Sequence, residues 1–335
     1  MKTATRASRW ALLGVSSIIV LTIAMCCGAV MASPAEVLRV LLGTSRDDAL
    51  RRILLEVRLP RVLLTGLVGA ALSVSGTLLQ AFFQNPMAGP YVVGVSSGAG
   101  LLAVAAITFG LTFRVGPFDA SAMAAFLGGL GSIALVYALA QRIRYLRSEG
   151  LLLIGIAVGA VFSALTSILL LFSRDGVQAA LTWMLGSFVA ADWPKVAMVA
   201  LSLAVGGVGS IILSRDLNLL LWGDETAVSL GSPVRRVRGW VLVLSSLLAA
   251  SSVAACGVVG FVGLMVPHLA RAFLDTVDHR WVLPGSALIG ALLLTAADAF
   301  ARTVWAPSEL PVGAITSALG APFLIWLVVR RHRRI

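Results

Sequence analysis

The 335-residue chain is 59% hydrophobic and only 12% charged, against about 25% charged in a soluble domain. Its sparse charges separate apolar runs of roughly 20 residues, which excludes a water-soluble core and gives an all-α polytopic membrane protein. The net charge of +11 has no interleaved aromatic stripe of a nucleic-acid binder, and arginines gathered between spans follow the positive-inside pattern instead.

Lys2, Arg6 and Arg9 precede an apolar run at about 11–31. The layout mimics a secretory signal, but the run exceeds the roughly 7–15 residues of a signal core and reads as an uncleaved first span. Two amphipathic stretches, at about 36–42 and 47–57, have the spacing of short helices lying on a surface, and with the N-terminus inside, 33–60 is expected as an external loop. Arg58-Leu59-Pro60-Arg61 then opens a second span at about 61–83. It breaks at Asn85-Pro86-Met87-Ala88-Gly89-Pro90, where two prolines and a glycine cannot continue a helix.

Further spans are expected at about 91–110, 119–140, 151–172, 194–213, 239–257, 258–276, 282–300 and 311–329, ten in all. Only Gly257 and Gly260 offer a turn between the seventh and eighth. An even count places both termini on one side. With that side cytoplasmic, the inner segments hold 16 of the 26 basic residues, including Arg142, Arg144, Arg147, Arg215, Arg271, Arg280 and Arg330 to Arg334. Arg174 and Lys195 fall outside. The segment 173–192, with Asp175-Gly176 and Trp183, reads as a short helix at the outer interface, flanked by Trp193, and both an aromatic anchor and a pore-mouth role fit it.

The longest inner segment, 214–238, contains Gly223-Asp224-Glu225-Thr226-Ala227-Val228-Ser229-Leu230-Gly231, then Pro233 and a basic cluster. Asp224, Glu225 and Thr226 suit the first turn of a short helix, and Gly231 and Pro233 end it. A plain connector and a helix that docks into another protein both fit. A faint internal repeat is also present: Gly76 to Pro86 and Gly257 to Pro267 share a spacing, as inverted repeats would.

No enzyme signature appears. His268, His279 and His332 lack the spacing of a metal site, and His268 reads as a structural residue at a helix break. Neither lysine, Lys2 or Lys195, follows a glycine-rich loop, so a Walker-type nucleotide site is missing and any ATP hydrolysis belongs to another chain. Cys26, Cys27 and Cys256 have no ligand spacing and read as packing residues. The pairs Gly94/Gly98 and Gly155/Gly159 indicate close helix packing. Asp298 lies within an apolar run four residues before Arg302, a spacing at which the two can pair. Arg58, Arg61 and Arg302 gather at the same outer surface, as solvated anchors or as a dock for acidic residues of an external partner.

Several stretches together resemble the FecCD-type (BtuC-like) permeases of ATP-binding-cassette importers for iron–siderophore complexes, haem and cobalamin. They are R-L-P-R, Q-N-P-M-A-G-P, G-V-S-S-G-A-G, the run from Gly257 to Arg271, D-H-R-W-V-L-P-G, and the run from Glu309 to Phe323. Met87 stands where the family more often has leucine, a volume-conserving change. The resemblance implies one permease domain over 1–335 with the BtuC-like type II importer fold, in the bacterial inner membrane. It implies a second copy of the permease, two ATPase subunits that use ATP and Mg, and an external binding protein. The cargo would be a bulky metal chelate, an iron–siderophore complex ahead of haem and cobalamin, and this chain would bind no cofactor of its own. An ATP-independent secondary transporter or channel is the alternative. Residue by residue, Arg58, Arg61 and Arg302 match arginines that face the binding protein, and Asn85, Pro86 and Met87 match a cytoplasmic gate loop. Asp224, Glu225, Thr226, Ala227, Leu230 and Gly231 match the coupling helix.

Overall fold

The computed structural model describes residues 2–28, 30–115, 118–142, 148–173, 176–306 and 308–332. Arg144, Arg147, Arg174, Asp175, Arg333 and Arg334 therefore lie outside the described residues. The helices are α1 (Lys2–Cys26), α2 (Pro34–Leu41), α3 (Asp48–Arg52), α4 (Leu59–Phe83), α5 (Val95–Thr108), α6 (Ala120–Gln141), α7 (Ser148–Phe172) and α8 (Val177–Met184). They continue with α9 (Trp193–Ile212), α10 (Ser214–Leu220), α11 (Asp224–Ser229), α12 (Val234–Cys256), α13 (Val262–Leu274), α14 (His279–Ala301) and α15 (Val312–His332). Two-residue strands β1 (Arg114–Val115) and β2 (Phe118–Asp119) pair antiparallel between α5 and α6.

Local chemistry sets many of the boundaries. Ser33 and Glu36 form a reciprocal capping box on α2. Asp119, Asp192 and Asp278 accept backbone N–H bonds at the starts of α6, α9 and α14. The stretch expected as a surface helix at 47–57 is instead continuous with the second span. α3 runs through a π-helical segment, Ile53–Arg58, directly into α4, so 48–83 is one helical rod of 36 residues. The wider turn has a physical reason: Pro60 offers no N–H, and its ring crowds the carbonyl four residues back.

α4 is the axis of the bundle. Apart from Leu63, its residues are mostly buried, and α9, α12, α13 and α14 pack around it. Two crossings bring backbones into contact. A Cβ on Gly76 would fall 1.7 Å from the Gly263 carbonyl oxygen, and one on Gly69 would fall 2.2 Å from that of Gly290. Only glycine permits such approach. The other glycine pairs also pack closely: Gly98 meets Gly128, and Gly155 meets the Val92 backbone.

Among the described residues, seven helices are long and apolar enough to cross a membrane, and α5, α13 and the Val312–Leu327 part of α15 are shorter apolar stretches. Together these account for the ten apolar runs, but two are much shorter than expected. α5 has 14 residues and α13 has 13, so each covers only about 20 Å of a hydrocarbon core about 30 Å thick. The remainder of each pass is irregular backbone, at 85–94 and 257–261, and the two breaks meet inside the bundle. The Tyr91 hydroxyl donates to the Val259 carbonyl and accepts from the Val259 N–H at 3.2 Å. Ser132 donates to the Gly94 carbonyl at 2.7 Å. Irregular backbone at membrane depth survives only with such partners.

Both halves share a long helix, a break and a short helix, α4–α5 and α12–α13, but not the register expected for the internal repeat. Gly76 lies within α4 whereas Gly257 caps α12, and Pro86 lies in a turn whereas Pro267 lies inside α13. His268 therefore stands within a continuous helix rather than at a break, with its ring edge-on to Phe323 at 6.4 Å. Trp183 is half-buried, and its carbonyl lies against Gly257, so it packs inward; Trp193 is exposed at the start of α9, as an interfacial anchor would be.

Candidate functional site

Two clusters of polar groups occupy opposite ends of α4. At its start stand Arg58, Arg61 and Arg302, which the sequence brings together and the structure keeps together. Their state differs from the expectation of solvated or free docking groups. All three are buried, at 5%, 7% and 5% exposure, and each is engaged by its own chain.

Arg58 donates to the carbonyls of Met25 and Cys26, at 3.0 and 3.3 Å, and to that of Val30. It thereby closes the end of α1 over the π-helical turn. Arg61 lies between two carboxylates, 2.7 Å from Asp298 and 2.8 Å from Glu309. Its Nη1 and Nη2 grip both Glu309 oxygens, a bidentate arrangement only guanidinium offers. Arg302 pairs with Asp298 at the expected four-residue spacing, 3.4 Å away, and donates to the Ala24 carbonyl at 2.7 Å. Asp298 thus serves two arginines, the nearer being Arg61. Three guanidiniums against two carboxylates leave the cluster with a surplus positive charge, and the Glu309 side chain, 32% exposed, is its edge toward solvent.

Glu309 escaped the sequence reading as a site residue, although it is the only acid after Asp298 and opens one of the quoted stretches. That isolation was the available signal.

At the far end, Gln84 caps α4 in the left-handed region at φ 50°. Asn85 Oδ1 accepts from the Met87 N–H at 2.9 Å, closing an Asx turn that includes Pro86. Asn85, Pro86 and Met87 are half-buried. The expected short helix over Asp224, Glu225 and Thr226 is present as α11, with Ala227 buried and Leu230 as its C-cap. Gly231 follows at φ 83°, as a left-handed helix stop requires.

Asp224 does more than offset a dipole. It pairs with Arg238 at 2.9 Å and lies 3.5 Å from the Gln84 amide, which also donates to the Leu220 carbonyl at 2.9 Å. The Arg238 guanidinium stacks 5.3 Å from the Phe82 ring centroid. The end of α4, the break at 85–90, α11 and the start of α12 are therefore one connected unit. Gln84 and Arg238 were not singled out from sequence; nothing local marks them, because their partners lie 140 and 14 residues away.

A third polar contact spans the bundle near this end. Gln80 donates to the Leu264 carbonyl at 3.0 Å and accepts from Arg271, joining α4 to α13. Asn218 donates to Asp278 at 2.7 Å and accepts from the His279 N–H at 2.8 Å, joining α10 to α14. The Asp278 carboxyl is held below the usual range. Partial burial alone would raise it, but hydrogen bonds from the Arg280 N–H and Asn218, with the Arg280 and His279 charges, outweigh that effect.

Comparison with known proteins places this arrangement. Residues 16–330 match the FecCD transport family model. The chain is 41% identical over 300 residues to the hemin transport system permease protein HmuU of Yersinia pestis, covering 88% of this chain and 89% of that one. It is 41% identical to the cobalamin import system permease protein BtuC of Halobacterium salinarum, over 83% of this chain and 73% of the relative. It is 40% identical to the Fe(3+) dicitrate transport system permease protein FecD of Escherichia coli, over 83% and 85%. A solved inward-facing ABC transporter of the metal-chelate type superposes with a TM-score of 0.83 at 31% identity, covering 95% of this chain and 97% of that one. With its bundle built around α4 and a family match over nearly its whole length, the chain belongs to the FecCD transport family.

Proposed function

We propose that this chain moves a bulky metal chelate across the bacterial inner membrane, an iron–siderophore complex ahead of haem and cobalamin. The chain is a multi-pass permease of an ATP-binding-cassette importer and not an enzyme; such permeases work with a separate ATPase and a substrate-binding protein. In this reading 1–335 is one permease domain that pairs with a second copy of itself and engages two ATPase subunits. ATP and Mg are used there, and this chain holds no cofactor.

The observation that carries the reading is the unbroken α4 with a different chemistry at each end. The arginine end faces outward and receives the binding protein, whose carboxylates approach the surplus positive charge at the Glu309 edge. The opposite end, with both termini and α11, faces the cytoplasm, as the distribution of basic residues favours. Val228 and Leu230 on α11 and the neighbouring Trp222 are 60%, 57% and 77% exposed. An apolar patch on a short capped helix outside the bundle suits the groove of a partner protein. Asn85, Pro86 and Met87 form the gate loop beside it. ATP-driven movement of α11 reaches that loop through Asp224, Arg238 and Gln84.

Val228→Asp and Leu230→Asp test the assignment. The full-length variants should lose co-purification with the ATPase subunit while keeping their thermal unfolding temperature in detergent. Undiminished co-purification would remove α11 from the ATPase interface.

A further inference from the structure

A crevice of about 490 Å³ runs between α6 and α12, lined among others by Leu130, Ile133, Tyr137, Arg236, Gly239 and Trp240. On α12 its lining extends from Arg236 to Ser246, a rise of about 15 Å at helical geometry. That is the depth of one leaflet, half of a hydrocarbon core about 30 Å thick. The wall is mostly apolar along this length: Ser246 at its deep end donates its hydroxyl to the Leu242 carbonyl, and Arg236, Tyr137 and Trp240 stand at the α11 end of the bundle.

Three features of that end suit a lipid headgroup. Among the described residues, the Arg236 guanidinium and the Tyr137 hydroxyl have no hydrogen-bond or ion-pair partner, whereas neighbouring Arg238 is spent on Asp224. Trp240 follows Arg236 by one helical turn and is 56% exposed, so an indole flanks a cation at headgroup depth, where tryptophan is favoured. Finally, α12 opens Val234-Arg235-Arg236-Val237-Arg238 with no side-chain cap. Cations there face the positive end of the helix dipole, so a negative counter-charge is favoured.

From this geometry we infer that the α6–α12 crevice is a binding site for an anionic phospholipid, with its phosphate on Arg236 and one acyl chain along Leu130, Ile133, Gly239 and Val243. Zwitterionic lipid offers the same apolar chain and a phosphate, but its ammonium group cancels the net charge and repels the guanidinium, so it pairs with Arg236 more weakly. The assignment depends on the crevice alone and stands whichever way the bundle faces.

Native mass spectrometry of the full chain, with phosphatidylglycerol, phosphatidylethanolamine or phosphatidylcholine added at matched concentration, tests it. Phosphatidylglycerol should be retained in preference to the other two. Arg236→Gln should weaken that retention about fivefold, the worth of one cation at an anionic surface. Arg235→Gln, with the same charge change but outside the crevice, should not. Gly239→Leu should displace the lipid, because a Cβ there meets nothing within 4 Å and the side chain enters the crevice without a backbone clash. Circular dichroism would establish that the variants are folded. Glycerol phosphate, which has the headgroup charge without acyl chains, should not compete. Equal loss in the Arg235 and Arg236 variants would reduce the effect to general surface potential and overturn the site. So would full retention in Gly239→Leu, equal retention of phosphatidylcholine, or competition by glycerol phosphate.

Discussion

Arg61 and Asp298 meet at 2.7 Å across 237 residues of sequence, buried where α4 and α14 cross. The pair joins the start of the axial helix to the end of its main packing partner. Removing Asp298 strands buried Arg302 while Arg61 keeps Glu309, whereas replacing Asp298 and Arg302 together with apolar groups strands neither arginine. Asp298→Ala should therefore destabilise the chain by about 3–5 kcal/mol, and Arg302→Met with Asp298→Leu, which leaves Arg61 paired with Glu309, should cost much less. Thermal unfolding in detergent measures both. An equal loss in the single and double variants would mean that the Asp298–Arg302 pair contributes net stability.

The burial of the arginines changes how docking is best tested. Reversing Arg58, Arg61 and Arg302 to glutamate would break the fold along with any interface. Glu309, at the solvent edge, is the better probe. Glu309→Gln releases one arm of Arg61 to an incoming carboxylate, so the binding protein should bind more tightly, and the gain should be larger at low salt. Unchanged affinity at low ionic strength would take Arg61 out of the docking surface.

The glycine crossings predict a sharp contrast between two alanine substitutions. Gly76→Ala drives a methyl group into the Gly263 carbonyl and should cost about 1–3 kcal/mol by overpacking. Gly100→Ala, whose Cβ meets nothing within 4 Å in α5, should be neutral or slightly stabilising, since alanine is the better helix former. Unfolding temperatures of the two variants decide it.

The Gln84–Asp224–Arg238 connection predicts uncoupling rather than loss of assembly. Arg238→Met keeps α11 free to bind an ATPase but cuts its ion pair to the start of α12. Chelate moved per ATP hydrolysed should fall about tenfold, within the range of ordinary coupling energies, while co-purification with the ATPase persists. A normal transport ratio would show that the signal takes another route.

Asp278 supplies a pH dependence. Its carboxyl titrates lower in the folded chain than in the unfolded one, so its contribution is complete above the unfolded value of about 3.9. The contribution is then lost as pH falls through the lower folded value. Wild-type stability should decline in acid more steeply than that of Asp278→Asn, with the two profiles parallel between pH 5 and 8. Unfolding temperature against pH, from 3 to 8, measures the difference; parallel curves in acid would contradict the assignment.

The apolar runs were legible because lipid demands an unbroken stretch for each pass, and the break at Asn85-Pro86 was legible because proline cannot continue a helix. α11 was readable from its acidic first turn and Gly231. The short α5 and α13 were not, because Tyr91 and the Val259 backbone compensate each other across 168 residues. No local pattern states that either break is satisfied. The arginine cluster shows the same limit. Sequence spacing located Arg302 beside Asp298, but only the fold brings Arg61 to Asp298 and Glu309 and so turns apparent surface charge into a buried network.

Import through a permease of this family is driven by ATP on a separate subunit. Chelate uptake into proteoliposomes containing the chain, its ATPase and external binding protein measures it most directly. Uptake should require ATP, the ATPase and the binding protein together, and should fail with the chain alone. Uptake by the chain alone, without ATP, would contradict ATP-driven import and leave a secondary transporter or channel in its place.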